Sequence, residues 1–185
     1  MHAHAELWVP SLEGDLIEQV EAIMAPLSQD ECKYDKDGEP LNEAYGLFDW
    51  FQVGGRWMNA HDPSYKPEKD PKNLEKCKVC NGTGIERDGG MFQLKRIHEV
   101  FKGKRHKPKA CRQCKGTKKD AKWPTQWVLA PCVVIPVEKL NPKLTAYCII
   151  INGDVVDDCE ETNVAKSLKA NGIKTGFLIT LDYHS

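Results

Sequence analysis

The sequence predicts an α+β protein with an inserted cysteine-knuckle module. Three observations carry this. Residues near each end follow a strand–helix–strand pattern. Asn152-Gly153 sits between two apolar runs and marks a hairpin. Two matched Cys-x-x-Cys segments lie in a basic middle stretch that lacks this patterning.

Ala5 to Val9 is short and apolar, a strand that Pro10 ends. Ser11 can cap a helix, because Leu16, Ile17, Val20, Ile23, Met24 and Leu27 then recur on one helical face. Pro26 and Ser28 place its end. Gln29 to Glu43 is polar and turn-rich, with Asp37-Gly38 inside it. Leu47 to Val53 is aromatic and reads as a strand leading into Gly54-Gly55-Arg56-Trp57. Prolines and charges cluster between His61 and Pro71 and mark a boundary.

Beyond the insert, Trp127 to Val137 reads as a strand interrupted by prolines, hence an edge or bent strand. Tyr147 to Ile151 and Val155-Val156 flank the Asn-Gly turn, which suits type I′. Asp157 or Asp158 would cap a second helix. Glu160 and Glu161 then fall in its first turn and Lys166 and Lys169 near its end, the charge order that a helix dipole favours. Asn171-Gly172 supplies the stop, and Phe177 to Leu181 is the last strand. The resulting order suggests a ferredoxin-like or related sheet, antiparallel or mixed, with both helices on one face. Residues 1–65 and 123–185 would form this discontinuous body, and 66–122 the insert.

With 185 residues, 41% of them hydrophobic, the chain can bury one good core and is not globally disordered. Val128 to Val137 is an apolar run of ten residues with two prolines, against the roughly 20 a membrane span needs. The N-terminus lacks a basic-then-apolar pattern, so the expectation is a cytoplasmic protein with no membrane partner. Eight cysteines then point to reduced thiols and a metal site rather than a secreted disulfide scaffold.

The net charge of −1 conceals an asymmetry. Lys66 to Lys122 holds 18 Lys or Arg against 7 Asp or Glu, a balance of +11. The remainder holds 8 against 20, a balance of −12. Such a split bears on partners rather than on fold.

Cys77-Lys78-Val79-Cys80-Asn81-Gly82-Thr83-Gly84 is nearly repeated by Cys111-Arg112-Gln113-Cys114-Lys115-Gly116-Thr117-Lys118. Two residues between cysteines let both thiolates of one turn face a common centre. The glycines permit the left-handed backbone that turns amides toward sulfur. Two such knuckles supply four soft ligands, which suits one tetrahedral, structural Zn²⁺ on Cys77, Cys80, Cys111 and Cys114. The competing readings are a redox pair or disulfides, but redox motifs seldom come as two matched copies. His98 and His106 are alternative ligands, though four thiols suffice. Phe92, Leu94, Ile97 and Phe101 suggest a short helix or hairpin between the knuckles. Cys32, Cys132, Cys148 and Cys159 lack paired spacing, and Cys132 and Cys148 read as core residues.

The segments 77–84 and 111–118 resemble the Cys-x-x-Cys-x-Gly-x-Gly repeats of the zinc domain in DnaJ-type (Hsp40) co-chaperones. That domain has four repeats and two zinc sites, whereas this chain has two repeats and Lys118 in place of the last glycine. The chain carries no J-domain His-Pro-Asp signature, since His61-Asp62-Pro63 has another order. The whole chain also resembles small uncharacterised phage and prophage proteins. In those an aromatic segment ending in Gly-Gly-Arg-Trp precedes a cysteine-knuckle insert, and the host cytoplasm would be the location.

Lys95, Arg96, Lys102, Lys104, Arg105, Lys107, Lys109, Arg112 and Lys115 give the zinc-knuckle module a density of positive charge that favours phosphate backbones. Phe92, Phe101 and Trp123 can stack bases. The favoured function is therefore a binding module for nucleic acid, led by backbone contact. The alternative is an inhibitor or adaptor that binds an acidic protein surface. The acidic body could also shield the insert or mimic nucleic acid. A further alternative is an enzyme acting on a phosphate-containing ligand near Arg56, with Trp57, His4 and His184 lining the pocket. Asp49, Gln52 and His61 lie around the same turn, and His2 could join through a shared sheet. No nucleophile motif or phosphate loop accompanies these residues, so no catalytic residue is assigned. The bland reading makes Gly-Gly a tight turn and the terminal histidines frayed ends.

Overall fold

The computed structural model describes residues 1–31, 33–37, 46–86, 109–157 and 161–185. Two compact units emerge: Met1–Pro67 with Trp127–Ser185, and Glu68–Gln126.

The first unit is built on a six-stranded mixed sheet. Its central strands are β1 (His2–Val9) and β10 (Phe177–His184), paired antiparallel along their whole length. The other edge of β10 carries two short strands, β2 (Trp50–Val53) and β5 (Val134–Pro136). The other edge of β1 pairs in parallel with β7 (Cys148–Ile151), which turns back into β8 (Asp154–Asp157). Asn152 and Gly153 have φ of 53° and 92°, the two positive values a type I′ turn requires.

Strand alternation assigns each helix to a face. Ala5, Leu7 and Val9 of β1, Cys148 and Ile150 of β7, and Ile179, Leu181 and Tyr183 of β10 pack with Val20 and Met24 of α1 (Leu16–Met24). The intervening residues Trp8, Ile149, Ile151 and Leu178 pack with Val164 and Leu168 of α2 (Val164–Ala170). The helices therefore cover opposite faces, not one face. The hairpin's first strand lies beside β1, in parallel. A ferredoxin-like unit would set the second there and stack both helices together. The α+β class holds, with two α-helices among the described residues; the ferredoxin-like arrangement is not borne out, and the placement of both helices on one face is corrected.

Cap chemistry accounts for other differences. Asp15, not Ser11, caps α1 by accepting from the amides of Ile17 and Glu18 at 2.9 and 3.1 Å. The Ser11 hydroxyl is committed to Glu13 instead. Asn163, not Asp157 or Asp158, caps α2 by accepting from the Lys166 amide. Asp157 lies in β8, and Thr162–Asn163 form a further strand, β9, which pairs with β6 (Thr145–Ala146). The helix can begin only after that pairing ends. Asp158 and Glu160 lie outside the described residues. The expected strand at Leu47–Val53 is confined to Trp50–Val53. Leu47 and Phe48 are buried in the core ahead of it, Phe48 bridging to Ser28. Of Trp127–Val137, only Val134–Pro136 is strand, because Pro131 opens a 3-10 turn.

The second unit holds a two-stranded ribbon, β3 (Leu74–Lys76) with β4 (Lys119–Ala121), directly adjoining the two knuckles. Among the described residues, no helix is long and apolar enough to cross a membrane.

Candidate functional site

The second unit's core is its four cysteines. Cys77, Cys80, Cys111 and Cys114 are all buried, and their sulfurs lie within 4.8 Å of one another. The Cys77–Cys111 and Cys80–Cys114 sulfurs are 3.9 and 3.7 Å apart. A disulfide would need about 2 Å. Tetrahedral zinc–thiolate bonds of about 2.3 Å set sulfurs roughly 3.8 Å apart. The donor set can therefore hold a metal ion.

The two knuckles use their matched residues in matched ways. The Cys77 amide donates to the Lys118 carbonyl at 3.0 Å, and the Cys111 amide to the Gly84 carbonyl at 2.9 Å. Each knuckle's first cysteine is thus tied to the other's last residue. Thr83 and Thr117 each return a hydroxyl proton to the carbonyl of Cys80 and Cys114, at 2.8 and 2.7 Å. The Gly84 amide donates to the Cys80 sulfur. Burial opposes ionisation of Cys80, but the Gly84 amide and the neighbouring thiols outweigh it and hold that thiol down at about 6. A Cβ on Gly84 would stand 2.8 Å from the Gly116 carbonyl oxygen, so the glycine is required there. Lys118, the matching position, takes a φ of 69° despite its side chain.

Of the basic residues expected to bind a partner, Lys109, Arg112 and Lys115 are described, and all are exposed. Arg112 pairs with Glu86 at 2.6 Å. Lys118 and Lys119 are exposed beside them in sequence, and Trp123 is 71% exposed. Lys95, Arg96, Lys102, Lys104, Arg105 and Lys107 lie outside the described residues, as do Phe92, Leu94, Ile97, Phe101, His98, His106, Cys32 and Cys159. Cys148 is buried in the core, while Cys132 is only partly buried and donates to the Met58 carbonyl.

The first unit carries a second constellation, on the sheet face that α2 covers at its other end. Cross-strand register stacks it in rows. Trp50, His184 and His2 form one row across β2, β10 and β1; Gln52, Asp182 and His4 form the next; Thr180 faces Glu6 in the third. Glu6 is fully buried. Its carboxylate accepts from His4 Nε2 at 2.7 Å, His61 Nε2 at 3.1 Å and the Thr180 hydroxyl at 3.0 Å. Burial alone would raise its pKa, yet the bonds from His4 and His61 prevail and hold the carboxyl down at about 2. Asp182 meets His2 Nδ1 at 2.9 Å and accepts from the Arg56 amide at 3.0 Å. His184 Nδ1 lies 2.9 Å from Asp49.

All four described histidines thus gather on one face, each holding a carboxylate. The Gly-Gly-Arg-Trp turn belongs to it. A Cβ on Gly55 would stand 2.5 Å from Asp182 Cβ, so only glycine lets the turn approach that carboxylate. Trp57 then stacks on His4, with ring centroids 5.2 Å apart. Arg56, Trp57, His4 and His184, the residues expected to line a pocket, all lie on or beside this face. His4 and Trp57 stack, His184 lies one row further along beside His2, and the Arg56 amide donates to Asp182 while its side chain is exposed. A cavity of about 270 Å³ lies elsewhere, lined by residues including Ile17, Phe51, Trp127 and Leu129. Glu6, Thr180 and Asp182 were not anticipated. Their signal was a period of two: His2-x-His4-x-Glu6 on the first strand and Thr180-x-Asp182-x-His184 on the last.

No family model matches the chain, and comparison with curated proteins and with solved structures finds no match.

Proposed function

We propose that the chain is a zinc-binding protein whose second unit is a nucleic-acid-binding module. The observation that carries the metal is the set of four buried sulfurs, spaced 3.9 and 3.7 Å across the two knuckles. Zinc is the ion that best suits four thiolates in a closed, tetrahedral set. With no water position left open, its role is structural. It replaces the apolar core that a unit of this size lacks. Cytoplasmic conditions would keep the thiols reduced.

The recognition surface is the exposed one. Lys109, Lys115, Lys118 and Lys119 project from the knuckles or just beyond them, and Trp123 offers an open ring face. Cations with an exposed aromatic favour a phosphate backbone and an unstacked base. The +11 balance of Lys66 to Lys122 supports the same reading.

Two measurements test it. Zinc per chain should be one in the wild type and fall sharply in Cys77→Ser and Cys111→Ser; undiminished zinc in both overturns the site. Zinc-loaded protein should bind labelled single-stranded RNA or DNA with an affinity that falls steeply as salt rises, and Lys115→Glu with Lys119→Glu should weaken it. Absence of binding at low salt overturns the nucleic-acid reading and leaves an acidic protein surface as the partner to seek.

A further inference from the structure

We infer that the histidine–carboxylate face of the first unit is an acid–base site that cleaves RNA phosphodiesters, with His2 and His184 as the proton-exchanging pair. The inference is independent of the zinc unit, since every residue it uses lies in Met1–Pro67 or Trp127–Ser185.

His2 and His184 stand directly opposite one another on β1 and β10, with ring centroids 5.2 Å apart. Their side chains are 28% and 40% exposed, so a ligand can reach both. Asp182 fixes Nδ1 of His2 and Asp49 fixes Nδ1 of His184. Each ring therefore presents Nε2 as its working nitrogen, and neither Nε2 has a partner among the described residues. A carboxylate that orients one nitrogen of an imidazole and leaves the other for a substrate is the arrangement of a catalytic base.

The surroundings define the substrate. Arg56 is exposed on the turn that Asp182 anchors, and its guanidinium makes no ion pair among the described residues. It is free to take a phosphate. Trp50 continues the His2–His184 row, and Trp57 covers His4; both indoles are 37% exposed and can stack a base. Among the described residues, the one hydroxyl in the three rows, that of Thr180, is buried and committed to Glu6 and does not serve as the nucleophile. The substrate must bring one, and a ribose 2′-hydroxyl does. In the step, the 2′-oxygen bonds to phosphorus as the bond from phosphorus to the 5′-oxygen breaks. One imidazole, neutral, takes the 2′-hydroxyl proton. The other, protonated, gives its proton to the departing 5′-oxygen. The products are a 2′,3′-cyclic phosphate and a free 5′-hydroxyl, with no co-reactant consumed.

Such a face is an expensive way to build a sheet. Replacing a buried, charged Glu6 and its two imidazoles by apolar residues would spare their desolvation. The opposite end of the same face, around Trp8, Ile149 and Leu178, is filled in that cheaper way.

The test uses the full zinc-loaded chain and the ribodinucleotide UpA, too short to depend on a second binding unit. The expected result is conversion to uridine 2′,3′-cyclic phosphate and adenosine, with the deoxyribose analogue untouched. His184→Gln and His2→Asn should each reduce turnover by about 100-fold or more, with circular dichroism showing both folded. No conversion of UpA above buffer overturns the proposal. So does conversion that persists in folded His184→Gln, or equal cleavage of the deoxyribose analogue.

Discussion

Replacing Glu6 by Gln removes one charge and almost no volume from the most deeply buried polar group of the first unit. The Glu6 carboxyl is held at about 2 in the folded chain, against an ordinary 4.5. A difference of that size corresponds to about 3 kcal/mol of folding free energy. Because the folded pKa is the lower one, the contribution is fully present above the unfolded value. It fades as pH falls from about 4.5 toward 2. Glu6→Gln should therefore lower stability by about 3 kcal/mol at pH 6, and the deficit should close as the solution is acidified. Urea unfolding of both proteins, followed by far-ultraviolet circular dichroism at a series of pH values, measures the deficit directly. Groups remote from Glu6 titrate in both chains and cancel in the difference, so what remains reports Glu6 together with His4 and His61, which donate to it. A deficit that stays constant between pH 6 and pH 3 would refute the reasoning, and so would a variant as stable as wild type at pH 6.

Other expectations are simpler. Lys118 occupies the left-handed backbone that its counterpart Gly84 occupies, at φ 69° and 76°. Lys118→Gly should stabilise the second unit by about 1 kcal/mol, read as slower loss of zinc to a chelator; faster loss would contradict this. Gly55→Ala places a methyl 2.5 Å from Asp182 Cβ at a positive φ, and should cost about 2 kcal/mol or more in thermal unfolding. An unshifted melting temperature would mean that the turn does not press on Asp182. Asn163→Ala should cost about 1 kcal/mol through loss of the α2 cap, read as a lower midpoint in urea unfolding; an unchanged midpoint would contradict this.

The parts of the fold legible in the sequence are those fixed by local chemistry. Asn152-Gly153 forces its turn because both residues must take positive φ, and few dipeptides can. The apolar spacing of Val20 and Met24 identifies the buried side of α1 whatever it packs against. Cap choice was less legible. Ser11 and Asp157 are as competent as Asp15 and Asn163, and what decides between them is non-local: the Gln19 amide holds the Ser11 carbonyl, and β6 keeps Asn163 extended. The side of the sheet each helix covers was also out of reach. It depends on whether β1 presents odd or even residues to α1, and β1 is apolar at Ala5, Leu7 and Val9 but also at Trp8.

The two candidate sites differ in legibility for one reason. A metal site with Cys-x-x-Cys spacing takes both ligands of a pair from a single turn, so proximity in sequence stands for proximity in space. The histidine–carboxylate face takes its residues from β1, the turn after β2, His61 and β10, and pairs His2 with Asp182 across 180 positions. Only the register of β1 against β10 brings them together. Even so, the alternation leaves a trace. A strand buried on both faces should be apolar at nearly every position. His4 and Glu6 on β1, and Thr180 and Asp182 on β10, break that rule at intervals of two, while Ala5 and Leu181 keep it between them and Leu7 and Ile179 keep it alongside. Polar residues confined to one parity of a buried strand face each other across the sheet, because a solvated face would not need to bury them and a packed face would not tolerate them unpaired. That parity, present on the first and the last strand of this chain alike, places the constellation on one face before any side chain is seen.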